Sequence, residues 1–146
     1  MNFVDKSAMF PEFSTWVIKS MAFEAGSSNA GNALIVDDDS MMHFIHKFLL
    51  SRFGFKIFVA ENGKQAVELF QAGQHFDVVT MDFQMPVMNG VQAIKKLRDM
   101  GVDSKILGVS ACDEATVKEL FLEAGANDFV TKPLTHDKLA SFLKNI

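Results

Sequence analysis

From Asn32 onward, short apolar runs alternate strictly with longer stretches of helical periodicity, and this pattern leaves few folds open. The runs Ala33–Val36, Lys56–Ala60, Asp77–Met81, Lys105–Val109 and Asp128–Thr131 predict strands. The stretches Ser40–Phe53, Gly63–Ala72, Gly90–Met100, Asp113–Ala124 and Thr135–Ile146 predict helices. Strands that alternate with helices pair in parallel, with crossover helices on both faces of one sheet. The central runs lack polar alternation, as expected for strands covered on both sides. The second run, Lys56-Ile57-Phe58-Val59, alternates more and is expected at an edge.

The helical stretches carry apolar stripes at i, i+3, i+4 and i+7. These are Met41, Phe44, Ile45 and Phe48 in the first, Val117, Leu120, Phe121 and Ala124 in the fourth, and Leu139, Phe142, Leu143 and Ile146 in the last. All are expected in the core. Ser40 is the expected N-cap of the first helix. Gly54, Gly73, Gly101 and Gly125 follow the first four helices, where a left-handed residue ends a helix.

Residues 1–31 differ from the remainder and form an N-terminal extension to a domain spanning 32–146. Ala25–Asn32 reads as a small-residue linker. Before it, Phe10, Phe13, Trp16, Val17 and Met21 fall near helical spacing after Pro11, so a short amphipathic helix and a loosely ordered tail are both open. Ser14, Thr15, Lys19 and Ser20 break the apolar run a signal peptide requires, and Asp5, Glu12 and Glu24 are foreign to a transit peptide.

Composition narrows the function. A net charge of -4 argues against nucleic acid as a direct partner. The basic cluster Lys95-Lys96-Leu97-Arg98 fits the wet face of a helix. One cysteine, Cys112, precludes an internal disulfide and suits a reducing compartment. No run approaches the roughly 20 apolar residues of a membrane span. A cytoplasmic protein, found also in the nucleus, is expected.

Polar residues stand where the apolar runs end: Asp37-Asp38 after Leu34-Ile35-Val36, Asp82 after Val78–Met81, Ser110 after Ile106–Val109, and Lys132 after Phe129-Val130-Thr131. The carboxyl ends of parallel strands face the ligand crevice. Three carboxylates, a hydroxyl and an ammonium therefore converge. Oxygen-only ligands suit Mg²⁺, and a carboxylate beside a metal can act as a nucleophile toward phosphorus. Each residue alone has a plainer role: Asp37 and Asp38 favour a helix N-terminus, Asp82 caps a turn, Ser110 ends a strand, and Lys132 is a surface lysine. His43 and His46 share a helix without a third ligand, so zinc is not expected.

Four segments, LIVDDDS (34–40), VVTMDFQMPVMNG (78–90), ILGVSA (106–111) and DFVTKPL (128–134), resemble in order and spacing the receiver domain of response regulators in two-component and phosphorelay signalling. The resemblance implies a flavodoxin-like doubly wound α/β fold, a five-stranded parallel sheet in the order 2-1-3-4-5 with five helices. It implies that Asp82 is the phosphoacceptor and that Mg²⁺ is held by Asp38, Asp82 and the main-chain carbonyl of Gln84, with Asp37 acting through water. Lys132 would pair with the acyl phosphate. Ser110, where Thr is commoner, would be the switch hydroxyl. Phe129, where Tyr is frequent, would be the aromatic that changes rotamer with it. A cis Lys132-Pro133 bond and an influence of Gln84 and Cys112 on phosphoryl lifetime come from the same resemblance.

The implied partners are a histidine-containing phosphotransfer protein or a histidine kinase. The implied protein is a monomer or weak dimer, not an enzyme in its own right, with no attached output domain. The segment IKKLRDMGVDSKILGVSA is similar to plant-type receivers, some of which return phosphate to water and oppose hormone (cytokinin) signalling. Two alternatives differ in class. A Mg²⁺-dependent aspartyl phosphatase, or a phosphate sink acting on a phosphohistidine transfer protein, is one; such phosphatases carry a second acid two residues after the nucleophile, where this chain has Gln84. A flavin or nucleotide carrier is the other, and Asp37-Asp38-Asp39 would repel its phosphate.

Overall fold

A computed structural model describes residues 30–146. Five strands, β1 (Gly31–Val36), β2 (Phe55–Ala60), β3 (Val78–Asp82), β4 (Lys105–Ser110) and β5 (Asp128–Thr131), form one sheet in the order β2-β1-β3-β4-β5. All pairs are parallel, with Ile35 opposite both Val59 and Thr80, and Asp82 opposite Val109. Five helices alternate with the strands: α1 (Ser40–Arg52), α2 (Gly63–Gln71), α3 (Gly90–Asp99), α4 (Ala115–Ala124) and α5 (His136–Lys144). β2 lies at an edge, as its polar alternation predicts. The N-terminal extension, read as a short helix or a loosely ordered tail, and the linker lie outside the described residues except for Ala30–Asn32, of which Gly31 and Asn32 belong to β1.

The pleat divides the core in two. On one face Leu34, Val36, Val79, Met81, Ile106 and Phe129 pack with α2, α3 and α4. On the other, Ala33, Ile35, Val78, Leu107 and Val109 meet Leu50 of α1, Phe53 at its C-cap, and Leu139, Phe142 and Leu143 of α5. Each strand thus sends adjacent residues into different cores, which explains the unbroken apolar runs. Gly54, Gly73, Gly101 and Gly125 all take positive φ, as their positions after helices predict.

Three expectations are corrected. Asp39, not Ser40, caps α1: its backbone is extended (φ -97, ψ 117) and its carboxylate accepts from the Met41 N–H at 2.8 Å, while Ser40 is already helical. Met41, Phe44 and Phe48 face outward at 59%, 71% and 55% exposure. α1 is apolar on several sides, so more than one stripe satisfies helical spacing; the buried one runs through His46 and Leu50. Leu120 and Ile146 are likewise exposed, whereas their stripe partners are buried. A smaller revision concerns Arg98. Lys95 and Lys96 are exposed, but the Arg98 guanidinium donates to the carbonyls of Val102 (2.7 Å) and Gly125 (3.0 Å) and to Asn127 Oδ1 (3.1 Å), binding α3 to the loop before β5.

The turn after β3 is held tightly against the sheet. Asn89 and Gln92 form a reciprocal capping box at the start of α3. The Gly90 N–H donates to the Phe83 carbonyl at 2.8 Å. A Cβ on Gly90 would stand 1.9 Å from the Asp82 carbonyl oxygen, where backbone cannot yield easily. Gly90→Ala is expected to destabilise the fold by about 2 kcal/mol through overpacking; an unchanged urea midpoint would contradict the close approach.

Candidate functional site

Asp37 leaves the end of β1 buried, at 1% exposure, and is locked from three sides. Its N–H donates to the Ala60 carbonyl at 3.1 Å, its Oδ1 accepts from the Asp39 N–H at 2.9 Å, and His43 Nε2 bonds its carbonyl. Asp38 follows with an exposed side chain. Asp82 ends β3 and is also buried. One carboxylate oxygen from each of these three residues lies within 4.8 Å of the others.

Lys132 reaches in from the end of β5. Its Nζ lies 2.9 Å from Asp37 Oδ2 and 3.2 Å from Asp82 Oδ1. Its N–H donates to the Ser110 carbonyl at 2.8 Å, which anchors the loop beyond β5 to β4. The Lys132-Pro133 bond is cis. Ser110 is buried one residue past Val109, the register partner of Asp82, and its Oγ accepts from the Cys112 N–H at 3.2 Å. Phe129 points into the core, with its ring 5.3 Å from that of Phe121. Gln84 sits two residues beyond Asp82 in the following loop with an exposed side chain.

Electrostatics set the character of the pocket. Burial raises the Asp82 carboxyl above its ordinary value of 3.8, the nearby Asp37 charge raises it further, and Lys132 opposes both. Burial alone would lower the Lys132 ammonium, but the hydrogen bond to Asp37 and the charges of Asp82 and Asp37 outweigh it, and its pKa ends above 10.5. Three carboxylates against one ammonium leave two negative charges to balance. A hard divalent cation fits this donor set: every ligand is oxygen, two carboxylates are buried, and the third opens to water.

Two histidines belong to the neighbourhood although their spacing suggests no metal. His43 fixes the backbone at Asp37. His46, one turn on, is buried at 2% exposure, and neither ring nitrogen has a hydrogen-bond partner. Their i, i+3 placement directly after an acidic strand end is the signal that could have linked them to the site. Val87 gave no such signal. It is 77% exposed with φ 70, a left-handed conformation that is strained for a β-branched residue. The strain lies in the loop that joins Asp82 to α3.

The comparisons with known proteins converge on the same arrangement. Two-component response regulator 24 of Arabidopsis thaliana is 48% identical over 114 residues, covering 78% of this chain and 82% of its own. Among solved structures, a chain of the CheX-CheY-BeF3-Mg+2 complex from Borrelia burgdorferi superposes with a TM-score of 0.74 at 25% identity, covering 87% of this chain and 95% of that one. A chain of the co-crystal of the Saccharomyces cerevisiae histidine phosphotransfer protein Ypd1 with the receiver domain of Ssk1 gives a TM-score of 0.67 at 29% identity, covering 75% and 83%. Residues 33–144, from the first buried residue of β1 to the end of α5, match the response regulator receiver domain. A parallel sheet in the order 2-1-3-4-5, with its acids and lysine gathered at the strand ends, is thus the setting of a known family, and the chain belongs to the response regulator receiver domains.

Proposed function

We infer that this receiver accepts a phosphoryl group on Asp82 from a phosphohistidine. The observation that carries the inference is Lys132, whose ammonium lies within 3.2 Å of Asp82 Oδ1 and 2.9 Å of Asp37 Oδ2. A cation so placed pairs with the carboxylates before transfer and with a phosphoryl oxygen afterwards. An Asp82 carboxylate oxygen attacks phosphorus, the bond to the donor imidazole nitrogen breaks, and that nitrogen leaves with the electron pair. Asp38, Asp82 and the Gln84 carbonyl would hold Mg²⁺, with Asp37 acting through water. The ion would supply charge neutralisation for the phosphoryl oxygens.

Ser110 would donate to a phosphoryl oxygen, and Phe129 would shift with it to rebalance the α4–β5–α5 surface between two states. The known complex of a phosphotransfer protein with a receiver domain supports a histidine-containing phosphotransfer protein as donor. The plant relative favours a plant-type relay, in which the chain works by docking or by draining phosphate. Catalysis on free substrates is not part of this function.

The test is chemical. Incubation with Mg²⁺ and a small phosphodonor is expected to give one acid-stable, base-labile adduct. Chelation should abolish it and added Mg²⁺ restore it. Sustained turnover of small phosphomonoesters without a trapped adduct would favour the phosphatase alternative.

A further inference from the structure

Met41, Phe44 and Phe48 form one line along the outer face of α1, at i, i+3 and i+7. Single exposed apolar residues are ordinary, but three large ones in a row make a continuous patch. The Arg52 guanidinium lies 5.6 Å from the centre of the Phe48 ring and borders its lower end. Among the described residues, no element covers the stripe.

We propose that the N-terminal segment of this same chain covers it, seating Phe13, Trp16, Val17 and Met21 across Met41, Phe44 and Phe48. The entry point of the chain supports this. The Ala30 N–H donates to the Gly54 carbonyl at 2.9 Å, two residues past the end of α1, so the segment emerges at the foot of that helix. Reach is sufficient. Residues 22–29 extend up to about 26 Å at about 3.3 Å each, while α1 is about 20 Å long at 1.5 Å per residue. Gly26, Ser27 and Ser28 give that connection the composition of a linker. The apolar positions of the segment repeat at helical spacing and so offer a stripe complementary to that of α1. Glu12 and Glu24 flank them, and Lys47 and Arg52 flank the stripe on α1. A short covalent tether also gives the segment an effective concentration on the order of millimolar, which a second copy would not match in dilute solution.

Trp16 is the only tryptophan in the chain, so its fluorescence reports the contact directly, without phosphorylation. In the full-length protein at low concentration, Trp16 is expected to be shielded from acrylamide, and quenching should rise severalfold in Phe44→Ser/Phe48→Ser. Both replaced residues are exposed, so the fold should survive, as far-UV circular dichroism would verify. Phe13→Ser, which leaves the described domain untouched, should release Trp16 equally. Free quenching in the wild type would overturn the proposal. So would shielding that Phe44→Ser/Phe48→Ser leaves unchanged, since the segment would then lie elsewhere, and so would shielding that grows with protein concentration, which would make the occupant a second copy.

Discussion

Asp82→Asn is expected to reduce covalent labelling by a small phosphodonor to background while the protein remains folded. The amide presents a neutral oxygen with little nucleophilic power and forms no stable acyl phosphate. The same substitution separates chemistry from stability. The folded state binds the Asp82 proton more tightly than the unfolded chain, because burial, and then Asp37, raise its carboxyl. Between 3.8 and that raised value the native state therefore holds more protons, and stability falls as pH rises. At neutral pH without metal, ionised Asp82 is a net burden that Lys132 only partly offsets. Removing the charge is thus expected to leave the melting temperature of the metal-free protein unchanged or higher, and to shrink the further rise on adding Mg²⁺. Thermal melts with and without Mg²⁺ check both signs. Labelling that persists in Asp82→Asn would move the acceptor to another residue.

Acidification is expected to destabilise the domain through His46. Burial lowers this imidazole from 6.5 to about 4, with Lys132 and His43 acting in the same direction and Asp37 opposing. The unfolded chain takes up a proton at His46 below pH 6.5, while the folded chain resists until about 4. Stability present above 6.5 is therefore lost progressively as pH falls to about 4, by about 3 kcal/mol in all. His46→Leu should abolish this loss. It also removes two buried ring nitrogens that have no partner, so at pH 7 the variant is expected to be at least as stable as the wild type. Urea unfolding of both proteins across this range isolates the effect, since Asp82 contributes equally to each. Parallel declines would rule out His46 as the source.

Strand positions and the identities of the acidic and basic site residues were legible because each is written locally, whereas the sheet order came only with the resemblance to receiver domains. A strand buried on two faces must be continuously apolar, so its ends are marked by the first polar residue. Val36-Asp37 and Val109-Ser110 carry that mark, while at Asp82 and Lys132 only the charge distinguishes it from the threonines Thr80 and Thr131 that come first. The left-handed glycines after α1 to α4 were legible for a similar reason, because a helix stop has its own residue preference. Less was legible where several local solutions compete. Asp39 and Ser40 are both good caps, and the choice depends on which residue is extended when the chain leaves β1.

The sequence by itself determined that the chain would form a doubly wound sheet and that its acids, hydroxyl and lysine would stand at the strand ends, because hydrophobic period and strand termination are properties of neighbours along the chain. Tertiary structure alone decided which side of α1 is buried. Met41, Phe44 and Phe48 satisfy helical spacing as well as the stripe through His46 and Leu50, and only packing against β1, β2 and α5 separates them. It also decided that Lys132 bridges Asp37 and Asp82, since residues 95 positions apart acquire their distance only when β1, β3 and β5 come together.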